Sequence, residues 1–466
     1  MPNVTIQEFA RKLRARELTA LDTTNACLRR IDELQPSLNA FIHVMAAEAR
    51  RDAEAADREL ASGRDRGPLH GVPMAVKDII DIAGIPTTAA SRVREGHVAR
   101  ADAPVIAALR EAGAVFIGKT NLDEFAFGTT SENSAFGAVR HPLDASRSPG
   151  GSSGGSAVAV AADMALAALG TDTGGSIRIP AALCGIVGLK PALAEVSTDG
   201  VVPLSKTYDH VGTFARTVGD ARLVYRALTA HSGGLTAQRG SDLRAGSGTD
   251  LPRSANNLRL GVPRGYLTDL LSEDVRARFD EVAALLRSAG ATLTEVSIPH
   301  AEMTPAVYVH IHSSEGATYH AHTLDSVPER YTPVVRSRLE VGRYVLAQDY
   351  LRAMEGRALL RGEVDAALSG CDALILPTLP IAAPLMGANA MTIGGRQEPV
   401  RALMLRLTQL FNVTGHPAIS IPCGVTSEAL PVGLQLVGHH NQTERLLSAA
   451  RIVEGVMQPG PTRKAD

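Results

Sequence analysis

The sequence predicts a single mixed α/β domain, and three observations carry that prediction. Short apolar runs bounded by turn residues alternate with stretches of helical periodicity along the whole chain. No internal repeat and no clear linker divides it. The 466 residues are 45% hydrophobic and 21% charged, the balance of a chain that buries a large core rather than a disordered one.

Bulk properties narrow the function classes. A formal net charge of -2 gives no surface suited to nucleic acid or another polyanion. Cys27, Cys184, Cys371 and Cys423 lie far apart without a CxxC pair, so reduced, buried thiols in a cytoplasmic protein are expected. The start, Met1-Pro2-Asn3-Val4, lacks the pattern of a signal peptide, and no run approaches the ~20 apolar residues of a membrane span. A soluble protein is the expectation.

Taken in order, Thr5-Ile6-Gln7-Glu8 forms a capping box, with Ile6, Phe9, Ala10 and Leu13 following at helical spacing. Further helices are predicted over about Leu21–Leu34, with Leu28 and Ile31 inward, and over about Ala46–Ser62, charged and on the surface. These make an N-terminal helical region over residues 1–66. Met74 to Val76 reads as a buried strand that ends on Lys77. A lysine there is either an ordinary surface cation at a strand terminus or an amine kept neutral by burial and able to act as a base. Asp102 to Gly113 reads as a helix and Ala114 to Ile117 as a strand. Gly113 to Thr120 also satisfies the phosphate-loop pattern G-x-x-x-x-G-K-[ST], which leaves a nucleotide-binding protein as a weak alternative. The context is wrong, because a helix precedes the first glycine and the variable positions are themselves a strand.

Residues 146–191 hold the densest signal. Gly150-Gly151-Ser152-Ser153 and Gly174-Gly175-Ser176 flank an Ala-rich segment, Ala157 to Leu169, predicted as one tightly packed helix. Glycines let the backbone turn and approach a ligand closely, so two serines sit at corners that a helix brings back together. Beyond them, Val218 to Ala230 reads as a helix, Ser232 to Asn257 as a long surface loop, Leu258 to Val262 as a strand and Ser272 to Ala289 as a helix. Val307 to Tyr350 reads as helical and carries His310, His312, Glu315, His320 and His322. Histidines two apart do not share a helix face, so no metal is expected. Ala373–Pro377, Ala418–Pro422 and Gly433–Val437 complete the predicted strands.

These motifs closely resemble the amidase signature family. The likeness covers Val76-Lys77-Asp78, residues 118–125 (GKTNLDEF), 149–155 (PGGSSGG), 170–178 (GTDTGGSIR) and 185–191. Thr414-Gly415-His416-Pro417-Ala418 and Pro431 to Gln435 add C-terminal features of the same family. The resemblance implies a large mixed β-sheet covered by helices, with a signature core over about 67–230 and a variable helical pocket region over about 300–365. It further implies amide hydrolysis by a Ser-Ser-Lys triad, with Ser176 as nucleophile, Ser152 as bridge across a cis Gly151–Ser152 bond, and Lys77 as base. A serine hydroxyl needs such a base, and a neutral Lys77 can draw its proton through Ser152. The backbone N–H groups of Thr173, Gly174, Gly175 and Ser176 are the implied oxyanion site. Ser153, Asp172 and Arg178 are implied supports, with Arg178 bonded near Ser153; for Asp172 a turn cap is the plainer alternative. Phe127 and Gly128 are the implied substrate contacts. No cofactor and no metal follow, and a homodimer is left open.

The implied partner is a small-molecule amide, hydrophobic or aryl, with esters or carbamates open to the same acyl transfer. The alternative is the A subunit of a glutamine-dependent tRNA amidotransferase. There, an aspartate three positions before a threonine holds the glutamine α-amino group, and the matching position before Thr408 is Leu405 here. Arg338 falls near the carboxylate-binding arginine of the same amidotransferase.

Overall fold

The computed structural model describes residues 4–230 and 254–457. The chain opens with helices α1 (Ile6–Arg14), α2 (Ala20–Leu38) and α3 (Ala46–Ala61), with strand β1 (Phe41–Val44) between the last two. The Thr5 hydroxyl accepts from the Glu8 amide and caps α1, and Ile6, Phe9, Ala10 and Leu13 form its buried face. Next come β2 (Pro73–Lys77), α4 (Pro104–Glu111), β3 (Val115–Thr120), α5 (Gly154–Ala161), β4 (Ala167–Asp172) and α6 (Arg178–Cys184). They are followed by β5 (Val187–Lys190), β6 (His210–Ala215), α7 (Val218–Thr229), β7 (Arg259–Pro263), α8 (Glu273–Ser288) and β8 (Thr292–Val296). Three helices come next, α9 (Thr304–Ser326), α10 (Pro333–Gly342) and α11 (Ala347–Leu368), then β9 (Ala373–Pro377) and the hairpin β10 (Ala390–Ile393) and β11 (Arg396–Pro399). The chain then forms α12 (Val400–Arg406), α13 (Leu410–Val413), β12 (Ala418–Val425), β13 (Pro431–Val437) and α14 (Thr443–Met457).

Eleven strands build one sheet in the order β1-β3-β2-β4-β6-β5-β12-β13-β9-β7-β8. β2 runs parallel to β3 and β4, β7 runs parallel to β8 and β9, and the remaining pairs are antiparallel. This is the large mixed sheet that the family resemblance implied. Every residue of β2 to β6, β9 and β13 is buried, which requires helices on both faces and explains why these strands read as continuous apolar runs. Among the described residues no helix is long and apolar enough to cross a membrane.

One expectation changes. The Ala157–Leu169 segment is not one helix: α5 stops at Ala161, Asp163 turns the chain at φ +61°, and the remainder enters β4 in the middle of the sheet. Small apolar residues suit either a buried helix or a buried strand, so composition could not separate them. The Val307–Tyr350 block is helical as expected and comprises parts of α9, α10 and α11. The phosphate-loop alternative falls away as its context implied, because its variable positions form the buried strand β3 and its lysine, Lys119, pairs with Asp78 at 2.9 Å inside the core. The loop expected over Ser232–Asn257 lies almost wholly outside the described residues; only Ala255–Asn257 is described in secondary structure, as a single 3₁₀ turn.

Candidate active site

Sheet register brings the site together. β2 and β4 are parallel neighbours with Val76 opposite Leu169, so the next residue of β2, Lys77, emerges beside Gly170 and Thr171. The Lys77 amine is fully buried and donates to Ser152 Oγ and to Thr171 Oγ1, each at 2.8 Å. No carboxylate among the described residues touches it. Burial moves its pKa down from 10.5 to about 7, against the more distant pull of Asp123, Asp172 and Asp209.

Ser152 sits at the turn into α5, where the Gly151–Ser152 peptide is cis and Gly150 has φ +81°. Its carbonyl accepts from the Asp123 amide at 3.2 Å and from Ser131 Oγ at 3.3 Å, which holds the corner in place. Only glycine fits at 151, since a Cβ there would lie 2.3 Å from Asp123 Oδ2. Ser153 joins the two serine corners: its amide donates to the Ser176 carbonyl at 3.3 Å and its hydroxyl to the Thr171 carbonyl at 3.1 Å. No hydrogen bond links the Ser152 and Ser176 hydroxyls among the described residues; the Ser153 amide joins the two corners through the Ser176 carbonyl.

The Ser176 loop is fixed from three sides. Thr408 Oγ1 donates to the Gly174 carbonyl at 2.7 Å, Thr173 Oγ1 donates to Asp209 Oδ1 at 2.5 Å, and the Ile177 amide donates to Asp172 Oδ2 at 3.2 Å. Gly175 has φ +139°, a conformation reserved for glycine. The N–H groups of Gly174, Gly175 and Ser176 have no acceptor among the described residues, so they are free for a ligand. Gly174 also has Tyr308 Oη 2.7 Å from where a Cβ would stand.

Arg178 lies at the centre of the support beneath this loop. Its Nε bonds Asp172 Oδ2 at 3.0 Å and its Nη2 bonds Asp172 Oδ1 at 2.9 Å, with both side chains fully buried. The other N–H groups reach the Thr408 carbonyl at 2.9 Å, Gln435 Oε1 at 2.7 Å and Asn412 Oδ1 at 2.6 Å. All five guanidinium donors are therefore used. Burial opposes ionisation of Asp172, and the paired Arg178 overrides it, holding the carboxyl well below the usual range. The expected bond near Ser153 is absent: every Arg178 donor points toward Asp172 and the C-terminal strands and helices. Asp172 also accepts from the Ile177 and Arg178 amides, so the turn-cap role exists alongside the ion pair.

Above Ser176 lies a neck with about 10 Å³ of free space, lined by Phe127, Gly128, Thr129, Gly174, Leu204, Tyr308, His312, Arg401 and Leu405. Tyr308, His312, Arg401 and Leu405 also wall an outer cavity of about 320 Å³, which Tyr266, Leu270, Glu398 and Gln409 help to close. Phe127 and Gly128, the implied substrate contacts, both line this neck. Tyr308, Arg401 and Thr129 were missed, because nothing local to them signals a site and only the fold carries them there. The histidine block disperses. His312 stacks on Tyr308 at 4.3 Å, and burial lowers its pKa to about 3. His320 Nδ1 faces Tyr331 Oη at 2.9 Å, His310 Nδ1 faces the Ala306 carbonyl, and Glu315 accepts from Ser205 Oγ at 2.5 Å.

Comparison with known proteins shows the family. A family model described as Amidase matches residues 22–447. The chain is 37% identical over 472 residues to the A subunit of the glutamyl-tRNA(Gln) amidotransferase from Desulfatibacillum aliphaticivorans, covering 95% of each. It is 39% identical to the protein of the same name from Anaeromyxobacter dehalogenans (strain 2CP-C), covering 98% of this chain and 96% of that one. A solved structure described as an amidase superposes with a TM-score of 0.89 at 36% identity, covering 98% of this chain and 100% of that one. The chain belongs to the amidase family, the amidase signature enzymes that hydrolyse or transfer the nitrogen of amide bonds.

Proposed function

We propose that Ser176 cleaves a carboxamide through an acyl-enzyme. The Ser176 hydroxyl attacks the amide carbon while its proton passes through Ser152 to the neutral Lys77 amine. The oxyanion that forms is held by the free N–H groups of Gly174 to Ser176, each such donor supplying on the order of 3 kcal/mol. As the C–N bond breaks, the proton returns from Lys77 through Ser152 to the leaving nitrogen. Water then attacks the Ser176 ester by the same relay and releases the acid. One observation carries this reading: the Lys77 amine is fully buried, 2.8 Å from Ser152 Oγ, with hydroxyl partners and no carboxylate in contact among the described residues.

Two readings of the physiological amide remain, and each has support. The curated relatives favour the tRNA amidotransferase A subunit, in which glutamine supplies the amide nitrogen, over a stand-alone enzyme for hydrophobic or aryl amides. The neck favours the second, because Leu405 lines it and a leucine cannot pair with the glutamine ammonium. Purified chain assayed on aryl amides, primary aliphatic amides, aryl carbamates and glutamine, with and without candidate partner proteins, decides between them. Glutamine turnover that needs a partner and exceeds every simple amide assigns the amidotransferase; turnover of simple amides by the chain alone assigns the stand-alone enzyme.

A further inference from the structure

We propose that Asp209 is a positioning residue for the oxyanion site: its carboxylate ties the loop carrying the Gly174–Ser176 N–H groups to the wall of the neck and so aims those donors. This rests on Ser176 being the reacting hydroxyl, and it deepens that reading by naming a group that governs the rate without touching substrate. Sheet register builds the contact. β4 and β6 are antiparallel with Asp172 opposite His210, so the residue after β4, Thr173, faces the residue before β6, Asp209. Thr173 Oγ1 donates to Asp209 Oδ1 at 2.5 Å, while Asp209 Oδ2 accepts from the amides of Leu204 at 2.9 Å and Ser205 at 3.0 Å. Thr173 directly precedes Gly174, and Leu204 lines the neck.

The loop needs such an anchor. Between β4 and α6 it runs without regular structure, and two successive glycines leave its N–H directions weakly set by the chain itself. Asp172 holds the end of the loop beyond Ser176, at the Ile177 amide, whereas Asp209 holds its start, next to the donors. The seat of Asp209 is braced in turn. Its own amide donates to the Ser205 carbonyl at 2.8 Å, and Glu315 of α9 accepts from Ser205 Oγ at 2.5 Å, the Thr207 amide at 3.1 Å and Tyr350 Oη at 3.0 Å. The turn from Leu204 to Asp209 is thereby fixed, and Thr173 is fixed against it.

The residue type argues for more than closing that turn. No cation pairs with Asp209 among the described residues. Burial raises its pKa to about 6, the three hydrogen bonds oppose that shift, and the field of Glu315 adds to it. An ionised acid is thus kept where a turn needs only a neutral acceptor. Charge adds shorter and stronger hydrogen bonds, and stiffness matters for donors that must be aimed before the oxyanion forms.

The test follows fluorophosphonate labelling of Ser176 against probe concentration, which separates kinact from KI. In that reaction Ser176 Oγ displaces fluoride from phosphorus and the phosphoryl oxygen gains charge, so the rate reads the oxyanion donors without a known substrate. Thr173→Val removes only the cross-link and leaves Asp209 on its turn. It should lower kinact about tenfold or more, change KI less than twofold and keep the urea midpoint. Phenylboronic acid, bound as a tetrahedral anion on Ser176, should bind this variant more weakly by a similar factor. Asp209→Ala should lose at least as much as Thr173→Val. Asp209→Asn should recover part of it, since asparagine offers an oxygen to the two amides and an N–H to Thr173. The double variant of Thr173→Val with Asp209→Ala should be no slower than Asp209→Ala alone. A kinact within twofold of wild type in Thr173→Val, a loss confined to KI, or additive losses in the double variant overturn the proposal. So does a lower midpoint with equal losses in kinact and KI, which assigns a structural role. Label on a residue other than Ser176 overturns the nucleophile assignment instead.

Discussion

A lysine amine with no exposed surface, two hydroxyl partners and no carboxylate in contact gives up its proton far more readily than one in water. That environment sets the pH behaviour of the site. Lys77 has its pKa lowered to about 7, and the proposed base is its neutral form, so activity should be present above that value and lost as pH falls through it. A kcat/KM profile with an acidic limb near pH 7 checks this, and a limb near pH 4 would point to a carboxylate base. Lys77→Met should cost about 10²–10⁴-fold in kcat, the usual contribution of a positioned base. Thr171 holds the same amine from the other side, so Thr171→Val should lower kcat with little change in KM; equal loss in both would make it a binding residue. Lys77 was legible in the sequence because a cation ending an apolar strand is out of place. Arg401 was not, because its significance comes from a neck built by segments from Ala126 to Leu405.

At the scale of elements, the Ser176 loop depends on what lies beneath it. Removing Arg178 strands the Asp172 charge in the core, so Arg178→Ala should destabilise the fold by about 3–5 kcal/mol, read as a lower urea midpoint. An unchanged midpoint would mean the pair is not buried as described. The loop after β3 is packed as tightly: a Cβ on Gly128 would meet Asp123 Cγ at 2.0 Å, so Gly128→Ala should cost about 1–3 kcal/mol and disturb the neck. Both glycine-serine corners were visible in the sequence, since runs of glycine and serine against apolar neighbours mark backbone forced into unusual turns. The connection between them was misread as one helix. Residues 157–169 are mostly alanine and valine or leucine, which fit either a helix or a central strand, and only pairing with β2 and β6 decides. The left-handed residue at Asp163 is the break that helical propensity did not reveal.

Over the whole molecule, the fold gathers distant parts of the chain into the candidate site: Lys77, Ser152 with Ser176, and Arg401 to Thr408. Apolar strands such as Ala373–Pro377 and Pro431–Val437 were legible because burial on both faces leaves no polar alternation to find. Phe41–Val44 and Thr292–Val296 were missed because edge positions leave them only partly buried and free of a strong apolar signal. The order of strands had no signature in the sequence, since it is fixed by pairings far apart along the chain, such as β5 with β12. The central claim, that Ser176 is acylated with help from Lys77 through Ser152, is tested most directly by mapping a fluorophosphonate adduct by peptide mass spectrometry. The proposed mechanism predicts label on Ser176, abolished in Ser176→Ala and slowed in both Ser152→Ala and Lys77→Met; label on Ser152, or undiminished labelling of Ser176→Ala, would contradict it.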